Sequence, residues 1–302
     1  MIEVPEVVVN KARAHGVLAW VDELLGLVDE LADRWELTPG EVYDGGTEAL
    51  VVAVECADGS PAVLKLLVPG RESVAAGEVH ALRLDGGRAC SALLRADVQR
   101  GALLLERLGP SMNDLSIPIE QRHPALCRAA QRMWRTVPSD GLMSGADKGA
   151  WLIDFVDTRW TRLDQPCSTA VVDHARHCAR RRIAAHRDTR SVLVHGDVHE
   201  WNALRTLEGD DGLGWKLIDP DGVFAEPEYD LGVMMREDPV ELLDGDPRDR
   251  ARRFAEWTDT DADAIWEWGV VERVATGLLA VEIDVQPVGD QMLAAAEAVV
   301  DA

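Results

Sequence analysis

The segment 191–219 constrains the fold of this chain more than any other part of the sequence. An apolar stretch, Val192 to Val194, runs into a histidine, a glycine and Asp197, and Asn202 follows five residues after that aspartate. Two short apolar stretches then flank a polar turn, which predicts a β-hairpin. A turn centred between residues 210 and 211 places Asn202 directly opposite Asp219, although a one-residue slip of register would turn the side chains to opposite faces.

An aspartate, an asparagine and a second aspartate brought together in this way have a definite chemistry. Their oxygen atoms suit Mg²⁺ that is shared with the phosphates of a substrate. Phosphoryl transfer also needs a carboxylate that orients the acceptor hydroxyl and accepts its proton, and protein kinases use an Asp-x-x-x-x-Asn spacing followed by a metal-binding Asp for this purpose. We therefore predict Asp197 as the catalytic base and Asn202 and Asp219 as Mg²⁺ ligands. The alternative is a capped turn, in which Asp and Asn are common.

The N-terminal part of the chain predicts a small sheet that carries a buried lysine. Apolar strands are expected around 51–54, 62–67 and 101–106, with a helix over 72–84. Lys65 lies in the middle of the second of these strands, where an unpaired ammonium group is costly to bury. We predict that it pairs with Glu78, with Glu72 as second choice, and reaches nucleotide phosphates. The alternative is an edge-strand lysine that points to solvent.

Two further segments are candidates for nucleotide contact. Gly45 and Gly46 lie in a turn that would let the backbone approach phosphate, although no complete glycine-rich phosphate motif is present. Glu106, Arg107 and Leu108 lie at the end of a predicted strand, at the expected junction between two lobes, where backbone groups would meet adenine.

Beyond Pro110 the sequence is mainly helical, with the 191–219 segment as its only β region. The expected helices cover 120–137, 147–164, 168–187, 239–257, 261–283 and 289–301. We predict an α+β chain with a small nucleotide-binding lobe at 1–108 and a larger, mainly helical catalytic and substrate-binding lobe at 109–302.

Composition narrows the possible partners. The 302 residues include 31 Lys and Arg against 54 Asp and Glu, a formal net charge of −23. Such a chain is a poor match for nucleic acid or anionic lipid but suits a cationic small molecule. The five cysteines are scattered without a paired spacing, and no apolar stretch approaches the length of a membrane span, which together predict a cytoplasmic protein.

The sequence resembles the aminoglycoside phosphotransferase branch of the kinase-like fold, and most of all its aminoglycoside/hydroxyurea antibiotic resistance kinases, which include streptomycin 6-kinases. The motifs that carry this resemblance are HGDVHEWN at 195–202, LIDPDGVFAEPEYDLG at 217–232, LLLERL at 103–108, VLKLL at 63–67 and AWVDELLGLVDELADRWEL at 19–37. The resemblance covers nearly the whole chain. It implies a two-lobed protein-kinase-like fold and ATP- and Mg²⁺-dependent O-phosphorylation of a small molecule such as an aminoglycoside or hydroxyurea.

The resemblance also assigns residues. It implies the roles given above for Asp197, Asn202, Asp219, Lys65 and Glu78, and structural roles in bracing the catalytic loop for His195 and Asp230. Asp221 departs from the pattern, because streptomycin kinases are expected to carry a basic residue after the Ile-Asp-Pro sequence. A separate hypothesis from the acidic residues is that Glu226, Glu228 and Asp230 lie near the pocket of a cationic substrate.

Other functions are less well supported by the sequence. A zinc site could be drawn from His195 with His199, or from His174, His177 and Cys178, but the first pair spans a strand-to-loop junction and arginines crowd the second set. Two alternatives to an antibiotic kinase remain open. One is a kinase of an endogenous sugar or amino-alcohol, and the other is a nucleotide-binding module without turnover.

Overall fold

The computed structural model describes residues 3–43, 48–70, 74–207 and 214–300. The chain divides into two compact units. The first consists of Met1–Gly109 with Thr206–Lys216, and the second of Pro110–Arg205 with Leu217–Ala302. The sequence predicts a change of lobe after residue 108, and it does not predict the return of 206–216 to the first unit.

The first unit is a five-stranded antiparallel sheet accompanied by helices, with strand order β1-β2-β3-β5-β4. Its elements are α1 (Glu6–Ala14), α2 (Leu18–Trp35), β1 (Leu37–Tyr43), β2 (Ala49–Cys56), β3 (Pro61–Leu67), α3 (Val74–Asp85), β4 (Leu93–Asp97) and β5 (Ala102–Glu106). The sequence did not predict β4, whose five residues include an arginine and an aspartate and none of which is buried.

Helix α2 is held to this sheet by a stripe of apolar side chains. Leu24, Val28 and Leu31 recur at helical spacing and are fully buried. They share one core cluster with Leu50 and Leu64 of the sheet. Burial of each such side chain contributes about 1.5–3 kcal/mol, so this stripe fixes α2 on the sheet.

The second unit is mainly helical, as expected, and contains a small sheet in the order β6-β10-β7. The elements after residue 110 are α4 (Ile119–Met133), β6 (Met143–Ser144), α5 (Gly145–Arg162), α6 (Thr169–Ala185), β7 (Val192–Val194), β8 (Ala203–Arg205), β9 (Trp215–Leu217), β10 (Val223–Ala225), α7 (Glu228–Met235), α8 (Arg248–Thr258), α9 (Ala262–Glu282) and α10 (Val288–Ala298). Strands β8 and β9 form the predicted hairpin.

One predicted helix is wrong. The interval 239–257 contains a short 3₁₀ helix at Glu241–Leu243 and then α8, which begins at Arg248. Gly245 between them has φ +98°, and Pro247 cannot donate the backbone hydrogen bond that a continuous helix needs.

Helices α7 and α9 approach each other through two glycines. A Cβ added to Gly232 would lie 2.2 Å from Cβ of Trp268, and one added to Gly269 would lie 2.5 Å from Cβ of Met235. Every residue of α7 is buried. The position of α7 against α9 is therefore fixed closely, and with it the position of the residues that α7 presents to the loop after β7.

Membrane insertion was not expected from the sequence. None of the helices built from the described residues combines the length and apolar character that a bilayer span requires.

Candidate active site

The loop after β7 is braced by a buried aspartate of α7. Oδ2 of Asp230 accepts the N–H of His195 at 3.1 Å, and Oδ1 accepts the N–H of Gly196 at 2.8 Å. The indole of Trp134 donates to Oδ2 at 2.8 Å. Asp230 is fully buried, which favours the bracing role that the family resemblance implies over the predicted place near a substrate pocket.

Gly196 is required at its position in this loop. Its φ is +88°, and an added Cβ would lie 2.8 Å from Cβ of Asp221. A side chain would therefore strain the backbone and collide with the segment that follows Asp219.

His195 ties the loop to the strand that precedes Asp219. Its Nδ1 accepts the N–H of Asp197 at 3.2 Å, and its Nε2 lies 2.9 Å from the carbonyl oxygen of Ile218. Since Nδ1 accepts a hydrogen bond, the proton is on Nε2, which donates to Ile218. Both ring nitrogens are used within the protein, which agrees with the rejection of His195 as a zinc ligand.

Asp197 receives donors on both carboxylate oxygens. Arg236 Nη2 donates to Oδ1, while Asn202 Nδ2 donates to Oδ2 at 3.0 Å and to the Asp197 carbonyl at 3.1 Å. Nε2 of His199 lies 3.3 Å from Oδ2. Desolvation would raise the pKa of Asp197, but the charge of Arg236 and the hydrogen bond from His199 outweigh it and hold the pKa well below the usual range. The carboxylate is therefore ionised at neutral pH, and its side chain is 32% exposed.

Sequence reasoning considered His199 only as a zinc ligand, whereas the structure gives it a place beside Asp197. Its Nδ1 accepts the N–H of Trp201 at 3.3 Å, so Nε2 carries the proton that faces Asp197. The usable signal in the sequence was the short Asp-x-His spacing within one loop.

The hairpin brings Asn202 and Asp219 close in register, but not directly opposite each other. The N–H of Ile218 donates to the carbonyl of Asn202 at 2.9 Å, which makes Ile218 rather than Asp219 the partner of Asn202. The expected register is therefore wrong by one residue. Asp219 follows with φ +60°, in the left-handed region, which turns its backbone away from the regular strand path.

The donors at this point fit a magnesium ion. Because Nδ2 of Asn202 donates to Asp197, its Oδ1 is the atom that would face a cation, and Asp219 supplies a carboxylate. Across the described residues, no group of three or more His, Cys, Asp or Glu side chains could enclose a metal. A two-residue oxygen site that is completed by phosphates and water suits Mg²⁺ better than a closed structural metal.

Sequence reasoning missed the polar network behind Asp197. Arg236 Nη1 lies 3.6 Å from Oε2 of Glu272, and Tyr229 donates its hydroxyl to Oε1 of Glu272 at 2.6 Å. Burial would lower the pKa of Arg236, but the charges of Asp197, Glu237 and Glu272 raise it. No short sequence spacing connects α7 with α9, so these contacts become visible only in the folded chain.

Asp221, where the family resemblance leads one to expect a basic residue, is paired with a lysine from α5. Lys148 Nζ lies 3.0 Å from Oδ2 of Asp221 and 4.7 Å from the centre of the Trp151 ring. Burial would lower the pKa of Lys148, but Asp221 and Glu272 raise it. A positive charge therefore stands beside position 221 although the residue there is acidic.

Glu226 and Glu228 are structural residues. Glu226 accepts the indole N–H of Trp268 at 2.8 Å and pairs with Arg182 at 3.3 Å. Glu228 accepts the backbone N–H of Asp261 at 3.1 Å, just before α9. Both are buried, so their surroundings favour a structural role over the predicted contact with a cationic substrate.

The first unit contains the predicted lysine–glutamate pair. Lys65 Nζ lies 2.8 and 2.9 Å from the two carboxylate oxygens of Glu78, which confirms this pairing. In the sheet register Lys65 faces Val51 on one side and Leu103 on the other. Strand β3 is thus an interior strand, which rules out the edge-strand alternative. Glu72, Gly45 and Gly46 lie outside the described residues.

Glu106 makes a second, partly buried ion pair in the first unit. Its carboxylate oxygens lie 3.0 and 2.9 Å from Nζ of Lys216, which explains why the segment 206–216 belongs to this unit. Its backbone N–H donates to Ala92, and its carbonyl accepts the hydroxyl of Ser91. The backbone groups of Glu106 that were expected to meet adenine are therefore engaged within the unit. Leu108 is buried at 8% exposure.

The fold is that of the kinase-like phosphotransferases. A choline kinase from Streptococcus pneumoniae superposes with a TM-score of 0.60 at 12% identity, over 92% of this chain and 99% of that chain. A spectinomycin phosphotransferase in complex with ADP and spectinomycin superposes with a TM-score of 0.56 at 14% identity, over 91% and 97% of the two chains.

The chain belongs to the aminoglycoside/hydroxyurea antibiotic resistance kinases, whose family model matches residues 34–277. It is 29% identical to a streptomycin 6-kinase from Streptomyces glaucescens, over 76% of this chain and 74% of that protein. It is 31% identical to a hydroxyurea phosphotransferase from Kitasatospora aureofaciens, over 76% and 67% of the two chains. The family resemblance is confirmed, and the protein is a small-molecule kinase.

Proposed function

We propose that the chain transfers the terminal phosphoryl group of ATP to a hydroxyl group of a small molecule, with Asp197 as the general base. The observation that carries this proposal is the carboxylate of Asp197. It is kept ionised beside Arg236 and His199, is held on both oxygens, and is one-third exposed. A base needs that combination of ionisation, orientation and access.

The proposed step balances as follows. The acceptor hydroxyl oxygen forms a bond to the terminal phosphorus of ATP, while the bond from that phosphorus to the oxygen of the leaving diphosphate breaks. The hydroxyl proton passes to a carboxylate oxygen of Asp197, and ADP leaves with the electron pair of the broken bond. Asp197 orients the hydroxyl before the transfer, which is the main contribution of such a base in phosphoryl transfer.

Asn202 and Asp219 are the proposed Mg²⁺ ligands. When bound, the ion would supply positive charge against the phosphates. The hydrogen bonds from Asn202 Nδ2 to Asp197 orient the amide so that its oxygen is the ligand atom, which couples the base and the proposed metal site through one side chain.

The first unit supplies the proposed nucleotide contacts. Lys65, held by Glu78, is proposed to donate to the phosphates of ATP. Because both backbone groups of Glu106 already have protein partners, we assign the adenine contact to the backbone that follows it, at Leu108. Gly45 and Gly46 are the proposed phosphate loop.

The charges near Asp197 favour a cationic acceptor. The pairs and contacts around it join four carboxylates, those of Asp197, Asp221, Glu237 and Glu272, to the two cations Arg236 and Lys148. This excess of negative charge would attract an ammonium or guanidinium group. Streptomycin is therefore the first acceptor to test, and hydroxyurea is the second because a relative that is 31% identical is a hydroxyurea phosphotransferase.

A reducing compartment is part of the proposal. None of the five cysteines, all of which lie within the described residues, forms a disulfide. Burial raises the pKa of Cys127 to about 12, which keeps its thiol protonated and unreactive. We propose the cytoplasm as the site of action.

The test is a mass-spectrometric screen of wild-type protein with Mg²⁺-ATP and a panel of acceptors. The panel contains streptomycin, other aminoglycosides, hydroxyurea, amino sugars and simple sugars. The control is Asp157→Asn, which changes an aspartate paired with Arg176 elsewhere in the second unit. A phosphorylated product made by wild type and by the control, but not by Asp197→Asn, supports the proposal. Nucleotide binding without any product would point to the non-catalytic alternative.

A further inference from the structure

The guanidinium group of Arg236 is divided among several side chains at the C-terminal end of α7. Its Nη2 donates to Oδ1 of Asp197, and its Nε donates to Oε1 of Glu237 at 3.0 Å. Its Nη1 lies 3.5 Å from Oγ1 of Thr276 and 3.6 Å from Oε2 of Glu272. All three nitrogens of the guanidinium group are thus in use, which a lysine ammonium group could not reproduce.

The support behind Arg236 is rigid. The hydroxyl of Tyr229 fixes Glu272 by a hydrogen bond of 2.6 Å. The backbone carbonyl of Met235, the residue before Arg236, accepts Nη2 of the fully buried Arg273. Together with the glycine contact between α7 and α9, these bonds leave little freedom for the arginine side chain to shift.

Arg236 completes the orientation of the Asp197 carboxylate. Asn202 and His199 both act on Oδ2, which by itself would let the carboxylate rotate about its Cβ–Cγ bond. The contact of Arg236 with Oδ1 removes that rotation. Each carboxylate oxygen can accept more than one hydrogen bond, so the held group still has a lone pair for an acceptor hydroxyl.

We propose that Arg236 is the positioning residue of the base, so that its loss lowers the rate of phosphoryl transfer without weakening nucleotide binding. This inference rests on the proposed function of Asp197. A purely structural role for Arg236 predicts a different result, because the loss of such an ion pair would lower the stability of the protein and leave the rate unchanged.

Arg182 offers a matched control for such a structural role. Its side chain is 11% exposed and pairs with Glu226 and Glu267, while Arg236 is 12% exposed. Both arginines are therefore buried to the same degree and paired with carboxylates in the second unit, but the carboxylate partners of Arg182 do not include the proposed base.

The experiment compares Arg236→Met, Arg236→Lys and Arg182→Met for kcat, for the KM of ATP and acceptor, and for Tm. Misplacement of a reacting group by about 1 Å costs about 100-fold in rate, so we expect kcat of Arg236→Met to fall about 100-fold with the KM of ATP unchanged. Arg236→Lys should recover part of this loss, and added guanidinium ion should raise the kcat of Arg236→Ala. Arg182→Met should lower Tm and leave kcat near that of wild type.

Retention of wild-type kcat in Arg236→Met, or a rise in kcat, would overturn the inference. Crystal structures of wild type and Arg236→Met give a test that needs no acceptor. A rotated or disordered Asp197 carboxylate in the variant supports the inference, and an unchanged carboxylate overturns it. Failure of the proposed function is distinguishable, because wild-type protein itself would then phosphorylate nothing.

Discussion

Asp197 and Asp230 meet at the same loop and are held in opposite ways. Asp230 is fully buried and accepts hydrogen bonds from two backbone N–H groups and from the indole of Trp134. Asp197 is one-third exposed and contacts the cation Arg236, together with His199. The carboxylate of Asp230 holds the backbone of the loop in place, whereas the loop carries the carboxylate of Asp197 partly exposed to solvent.

The pKa values of the two aspartates move in opposite directions. Burial raises the pKa of Asp230 more than His195 and the N–H donors lower it. For Asp197 the effect of burial is outweighed by Arg236 and His199, and the pKa falls well below the usual range. The comparison teaches that a cation in direct contact, with the hydrogen bonds that it donates, can reverse the direction in which burial moves the pKa of a carboxylate.

The largest expected effect is on turnover. Asp197→Asn keeps the size of the side chain but replaces one accepting oxygen by an amide NH₂ group and removes the proton acceptor, so kcat should fall by about 10²–10⁴-fold. Steady-state kinetics with the best acceptor from the screen measure this loss. The matched variant Asp157→Asn should keep wild-type kcat. A kcat for Asp197→Asn that matches wild type would remove Asp197 as the base.

The second effect is on stability. Asp230→Ala leaves the N–H groups of His195 and Gly196 and the indole of Trp134 without their acceptor, which should cost about 3 kcal/mol of unfolding free energy. Urea denaturation monitored by tryptophan fluorescence measures it. A variant as stable as wild type would show that the hydrogen bonds of Asp230 contribute nothing to stability, which would contradict the structural role that distinguishes Asp230 from Asp197.

The sequence predicts the parts of the site that are close along the chain or forced by burial cost. Asp197 and Asn202 lie in one loop, and a lysine within an apolar strand needs a partner such as Glu78. Arg236 could not be found this way, because its contact with Asp197 depends on how α7 packs on α9. The burial of Glu226 and Glu228 could not be predicted either, because an acidic stretch of sequence does not show which of its side chains will pack inside the fold.

Asp238 provides a third case in which the effect of paired side chains on the pKa of an aspartate can be measured. Burial would raise the pKa of Asp238, but Arg122 and His123 lower it to about 2. A depressed pKa contributes stability above the unfolded value of about 3.9, and that stability is lost as pH falls toward about 2. The advantage of wild type over Asp238→Asn should therefore shrink by about 2 kcal/mol between neutral pH and pH about 2. A difference that does not change with pH would contradict the cause assigned here.

The smallest expected effect is on the KM of a cationic acceptor, which should depend on the exposed carboxylate near the site and not on the buried ones. Asp221 is half exposed, so Asp221→Asn should raise the KM of a cationic acceptor by about 5-fold, the effect of roughly 1 kcal/mol from one exposed charge. Glu226→Gln and Glu228→Gln should leave that KM unchanged, because both residues are buried against protein groups. A raised KM in either glutamine variant would return these residues to the substrate pocket.

The most direct test of the central claim is a crystal structure of the protein with ADP and the acceptor found by the screen. The account predicts the acceptor hydroxyl oxygen within about 2.6–3.2 Å of a carboxylate oxygen of Asp197, with Asp230 still bound to the N–H groups of His195 and Gly196. An acceptor hydroxyl held by another residue, out of reach of Asp197, would contradict it.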